Sequence, residues 1–93
     1  MKLIYSQPYV RVIRRIDNNQ QLYIQTLAYI HLYKDRIETE AQTFSLKNVF
    51  DMSFKSFSSN NGFLYLHTHQ GVFTYIVESN PSKFIKVFKN IKY

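Results

Sequence analysis

The side chains best suited to chemistry in this 93-residue chain are histidines and carboxylates on segments that alternate like β-strand. His67 and His69 stand two residues apart, so on a strand both imidazoles would project from one face and could share a metal ion. Zinc takes three or four protein ligands, and His31 is the one other histidine. We therefore interpret His67 and His69 as polar strand residues beside a turn, and we expect neither a metal nor a cofactor.

Paired carboxylates give the sequence a second candidate for catalysis. Glu38 and Glu40 are two residues apart and share one face of a predicted strand, as a general acid and base would. Arg36 and the turn at Lys34-Asp35 lie beside them, which favours a solvated charged strand. The sequence contains no GxSxG, HExxH or Walker pattern. We predict that the protein is not an enzyme.

The basic residues predict an anionic partner. The formal net charge is +6, which suits nucleic acid, lipid head groups or an acidic protein. Arginine forks recognise carboxylate and phosphate groups with defined geometry. Two groups of basic residues stand near predicted turns. Together we predict them to form a surface that contacts anionic groups of a ligand: Arg11, Arg14, Arg15, Lys34 and Arg36. The alternative is that these side chains only keep a small protein soluble.

An aromatic series supports a second functional hypothesis. Phe63, Tyr65, Phe73 and Tyr75 would provide stacking positions for the bases of a single-stranded nucleic acid, next to basic charge. The alternative is cross-strand packing in the core. We favour packing, because a short chain without cysteine must place its large aromatic side chains inside.

Short turn signals separate the β-rich segments, which is typical of a sandwich or barrel. They are "DNNQ" at 17–20, "KD" at 34–35, "SSNNG" at 58–62 and "HQG" at 69–71. Between the second and third signals we expect one strand through "RIETEAQTF", a short connection, and a strand at about 49–57. The last hairpin turns around Gln70-Gly71, and its register stays open because both of its faces are apolar.

The first hairpin has a testable register. A three-residue loop, 18–20, would pair Ile16 with Leu22 and Val12 with Thr26. That register collects apolar side chains on one face and leaves Arg11 and Arg15 on the other. It also places Arg14 on the apolar face.

The chain ends with helical spacing. Asn80 is a good N-cap residue and Pro81 suits the first helical position. A single apolar stripe follows, formed by Phe84, Ile85, Phe88 and Ile91. We predict a helix at about 81–92 that buries this stripe against an open side of the β-structure.

About seven β-segments at 9–77 followed by one helix resemble the pleckstrin-homology (PH) superfold, and in particular small bacterial PH-like proteins. The resemblance rests on "FSLKNVFDMSF", "GFLYLHTHQGVFTYIV" and "NPSKFIKVFKNI", and it covers about residues 28–93. It implies a single, mainly β domain over 1–93: a seven-stranded β-sandwich or barrel capped by one C-terminal helix.

The PH-like resemblance implies a non-enzymatic binding scaffold. We expect a peptide or protein partner, with peripheral contact to an anionic membrane as an extension. Some bacterial relatives are associated with membranes or with immunity to antimicrobial peptides, which implies a bacteriocin-immunity type of role. No apolar run approaches the roughly 20 residues of a membrane span, and "MKLIYSQPYVRVIRR" is unlike a signal peptide. We therefore expect a cytoplasmic protein that can lie at the inner membrane face.

Overall fold

The computed structural model describes residues 2–59 and 61–93, and it contains seven strands followed by one helix, as predicted. The strands are β1 (Tyr5–Asp17), β2 (Gln20–Leu32), β3 (Arg36–Glu38), β4 (Thr43–Ser45), β5 (Val49–Ser56), β6 (Gly62–Thr68) and β7 (Gly71–Val77). A 3-10 turn, Leu46–Asn48, connects β4 to β5, and the helix α1 is Ser82–Lys92. The predicted turn at 58–62 includes Asn60, which lies outside the described residues.

The strands form one antiparallel sheet in the order β4-β3-β2-β1-β7-β6-β5, which is open rather than a closed barrel. β1 and β7 share a single residue pair, Val10 with Ile76. The sheet thus has a β1–β4 half and a β5–β7 half. Phe44 on β4 nevertheless contacts Phe73 on β7, with ring centroids 4.9 Å apart. The two halves therefore curl around a common core.

The core occupies the inner face of this curled sheet and is closed by α1. Phe84 and Phe88 are fully buried, and the Phe84 ring lies 5.8 Å from the Tyr5 ring on β1. The sheet contributes apolar side chains from all seven strands and from the 3-10 turn: Tyr9, Ala28, Ile30, Leu32, Ile37, Phe44, Leu46, Val49, Met52, Leu64, Leu66 and Val77. The predicted amphipathic closing helix is confirmed.

Both ends of α1 are held by specific hydrogen bonds. The Asn80 side-chain oxygen accepts a hydrogen bond from the Ser82 N–H at 2.9 Å, which satisfies one of the open donors of the first turn. At the other end, the Lys92 ammonium donates to the Leu46 carbonyl oxygen at 2.8 Å. The Tyr93 hydroxyl donates to the Phe50 carbonyl. The helix agrees with the predicted range to one residue.

The predicted register of the first hairpin is wrong by one residue. Asn18 and Asn19 have φ angles of 49° and 64°, so together they form the two-residue turn. Ile16 consequently pairs with Gln21 and Val12 pairs with Gln25. Two successive left-handed asparagines match the twist of the flanking strands, and asparagine tolerates this conformation better than most residues.

Two further predicted segments differ in the structure. "RIETEAQTF" is a hairpin rather than one strand, because the Thr39 hydroxyl accepts hydrogen bonds from the N–H groups of Ala41 (3.3 Å) and Gln42 (3.1 Å). The last hairpin turns one residue earlier than expected, since Thr68 pairs with Gly71. Gly71 has φ 128°, which an L-residue rarely adopts.

Replacing Phe84 by alanine should lower the free energy of unfolding by about 3–5 kcal/mol, because it leaves a cavity at the junction of helix and sheet. Thermal or urea unfolding followed by circular dichroism measures the change. Lys83→Ala is the matched control on the exposed side of α1. Equal midpoints for the two variants would contradict the closing role of the helix.

Candidate binding surface

The distal part of the β1–β2 hairpin, residues 11–27, extends beyond the core, and we call it the arm. Every residue from 12 to 27 is exposed, and the molecule measures 50 × 29 × 25 Å. Ile16, Tyr23 and Leu27 expose 70%, 65% and 62% of their surface. A ribbon of only two strands gains little stability from its own contacts. The arm therefore exposes apolar side chains that the described residues do not cover.

Three of the predicted site residues lie on the arm. Arg11 and Arg15 share the face that continues the inner side of the sheet, and Arg14 lies on the outer face, as predicted. The observed register sets Arg15 opposite Leu22 and Arg14 opposite Tyr23. Arginine and apolar side chains are thus mixed on both faces, and the predicted separation into an apolar and a basic face is wrong.

Arg11 has an acidic partner, Glu40. Its guanidinium lies 3.8 Å from the Glu40 carboxylate in the β3–β4 turn. Both side chains are largely exposed, so this pair contributes little to stability. It positions the β3–β4 turn against the base of the arm.

The other two predicted site residues are far from the arm. Lys34 follows β2 at the end opposite the arm's turn, seven residues beyond Leu27, the last residue of the arm, or at most about 23 Å at the usual rise per strand residue. Arg36 hydrogen-bonds Glu38 at 2.9 Å and Asp35 at 3.0 Å, and its guanidinium lies 4.1 Å from the centre of the Tyr33 ring. The hydrogen bond to Glu38 raises the pKa of Arg36. The structure therefore does not join the five basic residues into one cluster.

The predicted aromatic series is divided between the two faces of the sheet. Phe73 and Tyr75 point to the inner side, where Phe73 contacts Phe44 and the Tyr75 ring lies 5.1 Å from that of Tyr9. For these two residues the packing interpretation is confirmed. Phe63 and Tyr65 lie on the outer face of β6 and are half-buried.

A longer line of rings extends along that outer face, and we call it the aromatic row: Phe50, Phe57, Phe63, Tyr65 and His67. Consecutive ring centroids from Phe57 through Phe63 and Tyr65 to His67 are 4.9, 6.3 and 6.4 Å apart. Phe50 continues the row, 6.3 Å from His67. Alternation along β6 marks three of these rings in the sequence, whereas Phe50 comes from β5 and Phe57 from the residue after β5, so they join the row only in the folded sheet.

The two histidines have different surroundings. His67 Nε2 and the Ser53 hydroxyl are 2.8 Å apart, while His69 lies in the β6–β7 turn, beside Phe50. Asp51, opposite His67, accepts the Met52 N–H at 2.8 Å and faces Lys89 at 3.8 Å. Its carboxylate is therefore engaged elsewhere than on the His67 ring. Within residues 2–59 and 61–93, no three acidic or histidine side chains are grouped as metal ligands.

A groove of about 290 Å³ lies on the outer face where β1 separates from β7. It is lined by Val10, Val12, Gln25, Phe57, Asn61, Ile76 and Glu78. Phe57 belongs to the aromatic row, and Val12 and Gln25 belong to the arm. The groove thus connects these two surfaces at the base of the arm, which the sequence alone did not indicate.

Comparisons with protein-family models, with curated proteins and with solved structures found no match to this chain. In the part of the chain that the structure describes, no helix has the length and apolar character needed to cross a bilayer.

Burial raises the pKa of Tyr75 above its ordinary value of 10.0, and the polar Thr39 side chain opposes the shift. The stability due to the neutral hydroxyl is fully present below pH 10 and decreases as pH rises through the folded-state pKa, since the unfolded chain ionises first. Tyr75→Phe should flatten the decline in unfolding free energy above pH 10. Urea unfolding at several alkaline pH values measures this, with exposed Tyr23→Phe as control. The same slope in both variants would contradict the prediction.

Proposed function

We propose that this chain is a non-catalytic binding module of the PH-like type, which recognises a peptide or protein partner through the arm. The observation that carries this proposal is the exposure of large apolar side chains between arginines on both faces of the arm. Tyrosine and arginine are typical of the energetic centres of protein interfaces.

Charge indicates the kind of partner. The arm carries three arginines and one acid, Asp17, so an acidic or carboxylate-rich surface suits it. Arg14 and Arg15 are exposed and supply directional donors. A partner that covers the apolar residues would desolvate these arginines and strengthen their pairing with carboxylates.

Peripheral membrane contact is an extension of the same proposal. The end of the arm is polar, with Asp17, Asn18, Asn19 and Gln20, and is poorly suited to entering hydrocarbon. Contact with an anionic leaflet would therefore be electrostatic and would weaken with salt. A bacteriocin-immunity type of role is one case of this function and rests on the PH-like resemblance.

The ion pairs of Glu38 and Glu40 favour a non-catalytic role for these carboxylates. Glu40 is paired with Arg11, and Glu38 accepts a hydrogen bond from Arg36. Each carboxylate therefore contacts a different arginine, which favours an interpretation as surface ion pairs.

The double substitution Arg14→Glu and Arg15→Glu should remove partner binding while leaving the thermal midpoint nearly unchanged, because both side chains are exposed. Affinity capture from the organism's own lysate, followed by quantitative mass spectrometry, measures the loss. Vesicles of phosphatidylglycerol and of phosphatidylcholine test the membrane extension separately.

Lys83→Glu with Lys86→Glu is the control of equal charge change, placed on the exposed side of α1. Proteins enriched by the parent should also be enriched by the helix variant and absent with the arm variant. Enrichment of the same proteins by all three chains would exclude the arm as the site.

A second candidate, single-stranded nucleic-acid binding, is favoured by the aromatic row. Its rings follow one another at 4.9–6.4 Å along one face, and Lys55 lies opposite Phe63. Such a row provides successive stacking positions beside positive charge.

If this second function holds, oligothymidine should bind with strong salt dependence, and Tyr65→Ala should weaken binding about tenfold, as loss of one stacked base does. Fluorescence anisotropy at several salt concentrations measures this. Tyr23→Ala, an aromatic truncation on the arm, is the control. Absence of binding at low salt, or equal loss in both variants, would remove this candidate.

A further inference from the structure

The two long edges of the arm differ in charge. On β1 the arm carries Arg11, Arg14, Arg15 and Asp17, whereas β2 has no charged side chain from residue 20 to residue 30. β3 pairs with β2 at His31 and Leu32 and then turns away. Within the described residues, the β2 edge therefore has no neighbouring strand from 20 to 30.

An open and uncharged strand edge is a template for another strand, and natural proteins usually protect such edges with charges or by covering them. The arginines protect β1 in this way, and β2 lacks that protection. Its side chains include Leu22 and Ile24 on one face and Tyr23, Leu27 and Tyr29 on the other, all at least 36% exposed. We propose that β2 pairs antiparallel with β2 of a second copy of this chain.

The geometry restricts the register of this pairing. The overlap is bounded by the turn at Asn18-Asn19 and by β3 at His31, so a two-fold axis lies near Gln25. In that register Tyr23 faces Leu27 of the second copy, and Leu22 faces Ala28. Apolar cross-strand pairs of this kind stabilise a sheet, and the neutral Gln25 meets itself without repulsion.

Pairing through β2 also explains why assembly would stop at two copies. The two arms become one four-stranded ribbon, which exceeds the minimum of about three strands that a sheet needs for stability. Its new outer edges are the two β1 strands, and each carries three arginines. A further copy would bring like charges together. Strand pairing occupies the β2 edge and leaves both faces of the ribbon open, whereas the proposed partner would bind those faces. The inference therefore does not depend on the proposed function.

Because the chain contains no cysteine, disulfide formation can locate the pairing directly. The variant Gln25→Cys should form a covalent dimer rapidly under mild oxidation, since residues opposite each other in a ladder have the Cα separation that a disulfide requires. Val12→Cys, on β1 directly across the arm, is the control and should stay reduced. Equal rates for the two variants would overturn the proposal.

Charge exchange provides a second test that is independent of oxidation. The parent chain should sediment at twice its monomer mass of 11.2 kDa. Gln25→Lys and Gln25→Glu should each be monomeric when alone and dimeric when mixed in equal amounts, while Val12→Lys should stay dimeric. A parent that is monomeric up to its solubility limit would overturn the proposal, as would single variants that remain dimeric.

Discussion

The structure depends on the burial of Phe84 and Phe88 against the inner face of a curled, open sheet. The two halves of that sheet are joined by one residue pair between β1 and β7, so the ladder alone connects them weakly. The helix touches both halves: Phe84 packs near Tyr5 on β1, and Lys89 faces Asp51 on β5. In a chain of this size without disulfides, two large aromatic side chains at the junction supply much of the apolar burial that holds the halves together.

The arm exists because β1 and β2 are longer than the core requires. The core uses the first residues of β1 and the last residues of β2, and the remainder of both strands extends where nothing in the described chain covers it. Exposed apolar ribbons carry a risk of association, and large exposed apolar patches are typical of interaction sites, which is the physical basis for proposing the arm as a binding surface. The arm exposes large apolar side chains, which local stability alone does not favour. Departures of this kind are expected at functional sites.

The arm offers two faces and two edges, which allows more than one contact at a time. Its two faces mix arginine with apolar side chains, its β1 edge is protected by charge, and its β2 edge is neutral. The groove at its base leads to the aromatic row on the outer face of β6. Strand pairing would use the backbone of one edge, whereas recognition of a partner would use side chains of the faces. The two contacts are therefore sterically compatible.

Local patterns in the sequence determined the kinds and order of the elements. The spacing of Phe84 and Phe88 indicated the helix and its buried stripe, and turn residues separated most of the strands, although the turn between β3 and β4 was missed. The sequence also determined that Arg14 lies on the face opposite Arg11 and Arg15, because alternation on a strand is independent of its partner.

Tertiary structure decided everything that depends on which strands meet. The left-handed geometry of Asn18 and Asn19 shifted the register of the first hairpin by one residue. Curling of the open sheet placed Phe73 and Tyr75 inside and Phe63 outside, although both faces of that hairpin are apolar. The length of β2 separated Lys34 from the arm. The alternation of side chains along a strand assigns residues to two faces, but only the packing of the whole sheet decides which face becomes the core.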